Sequence, residues 1–144
     1  MKKIKENTAE IYTKKGIFYN PHMEFCRDIS SLAVGAIKDK LRICDGFSAT
    51  GIRGIRIANE VDGDIEIHIN DCNPKSYEII KKNVEINGIS AYIYNKHFCS
   101  VVQEKNPFSA KFLINLLLNS VQSKSLLHSR LLVLSVITKS HSSS

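Results

Sequence analysis

The chain has 144 residues, of which 43% are hydrophobic and 24% charged, and its net charge at pH 7 is +6. This length is enough for one hydrophobic core and short for a two-domain enzyme. No run of about 18 apolar residues is present, which argues against a membrane-spanning helix, and the polar start shows no signal peptide. The positive charge is compatible with a polyanionic partner such as RNA, although a merely soluble basic protein has the same balance.

Four cysteines are spread along the chain without a C-x-x-C pair, at Cys26, Cys44, Cys72 and Cys99. Zinc binding and a disulfide framework are therefore not expected, and no metal-ligand set is identified. A reducing compartment, the cytoplasm, is the expected location.

The composition changes near residue 105. All 14 acidic residues and all 7 glycines lie before it, whereas residues 106–144 contain 10 Ser and 9 Leu. That later segment has no turn glycines, helix caps or clear periodicity. We predict a basic, loose arm over residues 1–15, a folded part over 16–95 and an atypical tail over 96–144. The tail is interpreted as out-of-frame or truncated translation, and the alternative is an apolar extension that packs on a partner.

The predicted elements alternate between helix and strand. Asn20-Pro21 is a preferred helix start. Strands are predicted over 41–44, 65–69 and 91–94, with helices over 50–59 and from Pro74 to a stop at Asn87-Gly88. This order predicts a parallel α/β sheet with right-handed crossovers. The first helix is predicted to reach residue 37 with an apolar face formed by Met23, Ile29, Leu32, Ala33 and Ile37.

Residues 45–54, DGFSATGIRG, follow the first strand and precede a helix. A Gly-bearing loop at this position lets the backbone approach a nucleotide-like cofactor, and the helix N-terminus offers free N–H groups. The spacing of Gly46, Gly51 and Gly54 does not fit a dinucleotide fingerprint, and Ile52 stands where a P-loop has lysine. The third interpretation is an S-adenosylmethionine site, which needs an acid at the end of the first strand, here Asp45.

Asp71 follows the second strand. Its carboxylate can accept hydrogen bonds from both ribose hydroxyls of such a cofactor. Aspartate is also common at helix N-termini, so Asp71 could instead cap the helix that starts at Pro74. The residue pattern leaves both roles open.

Three segments together resemble one family: residues 18–28, FYNPHMEFCRD, residues 45–56, DGFSATGIRGIR, and the Asn70-Asp71 pair. They are similar to the hallmark runs of the tRNA (guanine-26 N2)-dimethyltransferase family of archaea and eukaryotes. The resemblance covers about residues 10–95. It implies the N-terminal half of a Rossmann-like class I S-adenosylmethionine-dependent methyltransferase fold, and methylation of the N2 of guanosine 26 in tRNA.

The resemblance also carries candidate cofactor contacts onto this sequence. Arg27, Arg53 and Asp71 match family positions that contact S-adenosylmethionine, and an arginine fork suits the methionine carboxylate. Arg27 could otherwise pair with Asp28 or Glu24 on a helix surface, a contact that is usually worth little. With the loop included, the candidate cofactor-binding residues are Arg27, Asp45, Gly46, Thr50, Gly51, Arg53 and Asp71.

Three neighbouring residues have less specific expectations. Arg56 lies one helical turn after Arg53 and is expected to face solvent or an RNA phosphate. Phe18 and Tyr19 precede the first helix, where aromatic residues could stack on a base but more often belong to the core.

The sequence departs from the family pattern after the third strand. Where the family has N-x-D-A-N, residues 95–99 read NKHFC, so the acid is missing. The nearest match to the family's catalytic D-P-F-G loop is NPFS at 106–109, which no apolar strand precedes. We therefore assign no catalytic residue and predict an inactive or impaired enzyme, because nothing evident holds guanine N2 in line and accepts its proton. The alternative is a basic, non-catalytic remnant that binds RNA or a partner, and the oligomeric state is left open.

Overall fold

The computed structural model describes residues 1–37 and 40–104. The NPFS segment at 106–109 lies outside the described residues, and the predicted division of the chain at residues 16 and 96 stays a prediction. The described elements are β1 (Lys2–Glu6), β2 (Ala9–Thr13), a short 3-10 helix (Pro21–Met23), α1 (Glu24–Gly35), β3 (Leu41–Asp45), α2 (Ile52–Glu60), β4 (Ile65–Asn70), α3 (Pro74–Ile86), β5 (Tyr92–Tyr94) and α4 (Phe98–Glu104).

Strands β3, β4 and β5 form a parallel sheet in that order. Ile43 of β3 is in register with Ile67 of β4, and His68 of β4 with Tyr92 of β5. Helix α2 connects β3 to β4 and helix α3 connects β4 to β5, as parallel neighbours require. The predicted α/β fold with a parallel sheet is confirmed, and β3, β4, β5, α2 and α3 begin and end within two residues of the predicted positions. Helix α1 begins at Glu24, three residues after the predicted start at Pro21.

The core packs the sheet against α2 and α3. Aliphatic side chains at alternate positions of β3 and β4 meet those of the two helices. Each fully buried side chain of this size stabilises the fold by about 1.5–3 kcal/mol. The most deeply buried are Leu41, Ile43, Ile55, Ile57, Ile67, Ile69 and Ile80. Across residues 1–37 and 40–104, no helix has both the length and the apolar character needed to cross a bilayer.

The prediction of a loose N-terminal arm is wrong, because residues 2–13 form an antiparallel hairpin. Ile4 of β1 is in register with Ile11 of β2, and Ala9 and Ile11 are fully buried against the helices. Asn7 in the turn has a φ of 49°, a left-handed conformation that asparagine tolerates well. In each strand every second side chain faces inward, but the lysines at residues 2, 3 and 5 make this alternation hard to recognise in the sequence.

The predicted apolar face of α1 is wrong for Ile29 and Leu32, whereas Ile37, just after the helix, packs against the core as predicted. Ile29 and Leu32 are 43% and 69% exposed, whereas Arg27 and Ser30 on the other side are buried. The helix therefore turns a mostly polar side towards the molecule, with Val34 as its fully buried aliphatic residue. The cause is the buried charge that this side carries, which requires hydrogen-bonding partners from other elements.

Candidate cofactor site

Two of the candidate acids lie together at the carboxyl ends of parallel strands. Asp45 is the last residue of β3, and Asp71 follows the last residue of β4. Because β3 and β4 are hydrogen-bonded neighbours, these ends lie side by side. Open α/β sheets bind ligands in the crevice at this edge.

The loop between β3 and α2 is fixed to the end of β4. The Ser48 N–H donates to Asn70 O at 3.0 Å, and the Ser48 hydroxyl lies 2.6 Å from Asp45 O and 2.8 Å from Asn70 O. Ala49 and Gly51 have φ values of 51° and 78°, so the chain passes through two left-handed positions before α2 begins. At Gly51 any side chain would add strain to this turn.

Asp71 holds the same loop through its side chain. Its Oδ2 accepts from the Ala49 N–H at 2.8 Å and its Oδ1 from the Asn73 N–H at 2.9 Å. The cap of α3 is Asn73, whose side chain accepts from the Lys75 N–H. Each Asp71 oxygen keeps a second lone pair that could accept a ribose hydroxyl. The proposed ribose contact stays a prediction.

Asp45 is a buried carboxyl, 6% exposed. Its Oδ2 accepts from the Gly54 N–H at 3.3 Å. Burial raises the pKa of Asp45 to about 6, although the nearby positive charge of Arg53 acts in the opposite direction. Asp45 therefore changes its charge close to neutral pH.

Arg53 is a buried cation with little compensation. It is 6% exposed, and its Nη1 donates to the Ser30 hydroxyl at 2.6 Å. Burial lowers the pKa of Arg53, and the charge of Asp45 only partly opposes this. Within the described residues no carboxylate bonds to its guanidinium group. A buried arginine with free donors is suited to binding an anion.

Arg27 is engaged by an acid that the sequence analysis did not consider. Its Nε donates to Glu6 Oε1 at 2.6 Å and its Nη2 to Glu6 Oε2 at 2.5 Å. Nη2 also lies 3.1 Å from the Asn20 carbonyl oxygen. The surface pair considered for Arg27 does not form, and Nη1 is the nitrogen left without a partner in the described part.

A crevice at this edge brings several of the candidates together. Its walls include Arg27, Asp45, Thr50, Arg53 and Tyr19. The Thr50 hydroxyl is buried and has no hydrogen-bond partner among the described residues. Unsatisfied buried hydroxyls are uncommon in proteins. This hydroxyl and the free donors of Arg53 leave unused hydrogen-bonding capacity in the same crevice.

Gly46 lies close to an aromatic ring of the protein itself. A Cβ at this position would lie 2.4 Å from two ring carbons of Phe98, so a larger residue would displace that ring. The Phe98 ring also lies against Phe47, with 5.2 Å between the ring centres. The prediction that Gly46 lets the backbone approach a cofactor stays a prediction.

The sequence predicted no structural role for two asparagines that organise the site, Asn70 and Asn83. Asn70 Nδ2 donates to Gly46 O and Lys96 O, which joins the loops after β3 and β5. Asn83 Nδ2 donates to Thr50 O at 2.9 Å from within α3. Each is a polar residue at an inward-facing position of a strand or helix whose other inward-facing residues are mostly apolar. This pattern is the signal in the sequence that could have identified them.

Arg56 is also not where it was expected. It is completely buried, and its guanidinium group bonds to Glu60, Asp28 and Glu6. Burial by itself would lower the pKa of Arg56, but these hydrogen bonds raise it above its ordinary value. A larger cavity lies on this side of the molecule, near the hairpin turn. The charged wall residues Asp28, Arg56 and Glu60 already bond to one another, and Asp62 is an exposed carboxylate, so we assign this cavity no chemistry.

Comparisons with solved structures define the class of protein. Trm1 from Pyrococcus horikoshii, solved with S-adenosyl-L-methionine, matches 73% of this chain and 33% of its own, with a TM-score of 0.66 and 28% identity. A SAM-dependent methyltransferase from Agrobacterium tumefaciens matches with a TM-score of 0.59 and 17% identity, which supports the fold alone. The described part thus has a partial Rossmann-like methyltransferase fold.

Sequence comparisons identify the family. The family model described as N2,N2-dimethylguanosine tRNA methyltransferase matches residues 1–112, and the chain belongs to that family. The tRNA (guanine(26)-N(2))-dimethyltransferase of Sulfolobus acidocaldarius is 48% identical over 90 residues, which are 61% of this chain and 23% of the relative. The Archaeoglobus fulgidus relative is 37% identical over 102 residues, 71% of this chain and 28% of the relative. The chain spans about a quarter of the length of these curated relatives.

Proposed function

We propose that this chain provides the S-adenosylmethionine-binding part of an enzyme that methylates the N2 of guanosine 26 in tRNA, in the cytoplasm. The observation that carries the proposal is Arg53, a buried cation at the carboxyl edge of the sheet, several of whose donors have no partner among residues 1–37 and 40–104. Relatives named tRNA (guanine(26)-N(2))-dimethyltransferases and the S-adenosyl-L-methionine complex of Trm1 support it. The net charge of +6 supports tRNA as the partner.

The residues present fit this cofactor. The Arg53 donors would bind the methionine carboxylate with the help of Arg27, and the buried Thr50 hydroxyl is available for a further hydrogen bond. The free lone pairs of Asp71 would accept the ribose hydroxyls. When bound, the cofactor supplies an electrophilic methyl group.

The chain's own contribution is a site that is organised before the ligand binds. Ser48 fixes the loop to β4, and Asp71 fixes the Ala49 N–H, so the left-handed turn keeps its shape without a ligand. Preorganisation of this kind reduces the entropy that binding costs. It also holds the methyl donor in one orientation, which an in-line transfer requires.

The proposal is tested by calorimetry with S-adenosylhomocysteine, the methyl-free form of the cofactor. We expect Arg53→Gln to weaken binding at least about ten-fold, the cost of one lost charge-assisted hydrogen bond. Arg42→Gln is the matched control, because Arg42 is half-exposed, lies 3.3 Å from Glu66 and is outside the crevice. A wild-type chain that does not bind the ligand contradicts the proposal.

Two further measurements separate the alternatives. Transfer of labelled methyl groups to tRNA tests the prediction that this chain alone is inactive, and detectable transfer would make that prediction wrong. Salt-sensitive tRNA binding that persists unchanged in Asp71→Ala, without any binding of the cofactor, would favour the non-catalytic RNA-binding hypothesis.

A further inference from the structure

A single carboxylate from the N-terminal hairpin bonds to one buried arginine of α1, Arg27, and to one buried arginine of α2, Arg56. Glu6 is 3% exposed and accepts two bonds from Arg27, one from Arg56 Nη1 at 3.0 Å and one from the Tyr19 hydroxyl at 2.9 Å. These bonds hold the pKa of Glu6 below its usual range, although burial alone would raise it. Glu6 is therefore a fixed negative charge between two elements of the site.

The two bonds from Arg27 to Glu6 determine where the remaining donor nitrogen of Arg27, Nη1, lies. Glu6 takes Nε and Nη2, and the Tyr19 ring lies beside the guanidinium carbon at 5.5 Å from its centre. A planar guanidinium group held at two nitrogens keeps one orientation. Arg27 and Arg53 line the same crevice, so this orientation affects how an anion would be bound there.

We propose that Glu6 is a positioning residue for the anion-binding end of the crevice, acting through Arg27. The inference rests on the proposed function and deepens it, because it makes the N-terminal hairpin part of the cofactor site. The ligand group concerned is a carboxylate, such as that of the methionine moiety. Glu6 itself touches no ligand.

Loss of the Glu6 charge is compatible with a folded hairpin. Asn83 joins β2 to α3 by bonds to both the N–H and the carbonyl oxygen of Tyr12, and Asn87 does the same for Glu10. The buried Ile11 adds an apolar contact on the same strand. These contacts are independent of Glu6.

The test compares two ligands in Glu6→Gln. S-adenosylhomocysteine carries the amino-acid carboxylate, whereas 5′-methylthioadenosine keeps the adenosine and lacks that group. We expect Glu6→Gln to weaken binding of S-adenosylhomocysteine about ten-fold and to leave binding of 5′-methylthioadenosine within about two-fold. Glu60→Gln is the matched control, because it removes the same charge from Arg56 and does not contact Arg27.

The selectivity between ligands distinguishes positioning from general stability. The proposal is overturned if Glu6→Gln weakens the binding of both ligands equally. It is also overturned if Glu60→Gln reduces the preference for S-adenosylhomocysteine as much as Glu6→Gln does. If Glu6→Gln does not fold, Glu6→Asp replaces it in the test. Aspartate keeps the charge on a shorter side chain, so we expect the same selective weakening of S-adenosylhomocysteine binding to a smaller degree. A wild-type chain that binds neither ligand overturns the proposed function and this inference together, whereas normal wild-type binding with unchanged selectivity overturns only the inference.

Discussion

Asp45 makes the stability of the fold depend on pH. Its pKa is about 6 in the folded chain against a reference value of 3.8, so the folded state binds a proton more tightly than the unfolded state. Stability therefore falls as the pH rises from about 4 to about 6, and the loss persists above that range. Two pKa units correspond to about 3 kcal/mol.

We expect Asp45→Asn to remove this loss, because the amide keeps an oxygen for the Gly54 N–H and carries no charge. Thermal unfolding of both proteins between pH 4 and pH 8 checks it. The variant should gain stability relative to wild type as the pH rises, by about 3 kcal/mol in total. A difference that does not change with pH contradicts the prediction.

For single residues, the positions of the acids and of the loop residues could be predicted from the sequence better than the surroundings of the arginines. Asp45 and Asp71 lie at strand ends as predicted, because the ends of β3 and β4 could be predicted from the sequence. The surroundings of Arg56 depend on Glu6, which is 50 residues away in the sequence. No local pattern reveals a partner at that distance, so Arg56 was expected at the surface although it is completely buried.

Among the elements, the hairpin is joined to the cofactor loop through α3. Asn83 bonds to the Tyr12 N–H at 2.6 Å, to Tyr12 O at 3.0 Å and to Thr50 O at 2.9 Å, and it is completely buried. We expect Asn83→Ala to lower the free energy of unfolding by about 2–4 kcal/mol, because several buried backbone groups lose their partners.

Urea denaturation measures this effect, and Asn87→Ala serves as the control. Asn87 makes comparable bonds to Glu10 but is only partly buried, so water can replace them and the expected loss is about 1 kcal/mol or less. Equal losses of unfolding free energy in the two variants would show that the bond from Asn83 to Thr50 O adds no further stability.

The sheet and the positions of its helices could be predicted from the sequence, whereas the orientation of α1 could not. Alternating isoleucines in β4 and the Asn-Pro helix starts are local signals, and they place each element independently of its neighbours. The apolar spacing in α1 is equally clear, but it marks the exposed side of that helix. The orientation of α1 depends on buried polar groups, which hydrophobic periodicity does not record.

For the molecule as a whole, α1 leaves an apolar stripe in contact with solvent. Phe25, Ile29 and Leu32 are 70%, 43% and 69% exposed. Contiguous exposed apolar surface promotes association between molecules. We expect the double variant Phe25→Gln and Leu32→Gln to reduce concentration-dependent light scattering without lowering the melting temperature, since neither side chain is buried.

Val34→Gln is the control for this prediction. Val34 lies on the same helix and is fully buried, so an unpaired amide there should lower the melting temperature markedly. Scattering that is unchanged in the double variant would mean that the stripe does not mediate association.

The pairing of β2 with α3 also sets an order of events during synthesis. Tyr12 and Asn83 are 71 residues apart, so β2 cannot complete its docking on α3 until α3 has been synthesised. Contacts of such long sequence separation form slowly, because a large loop must close first. Docking of β2 on α3 therefore lags behind the synthesis of β2 by at least these 71 residues.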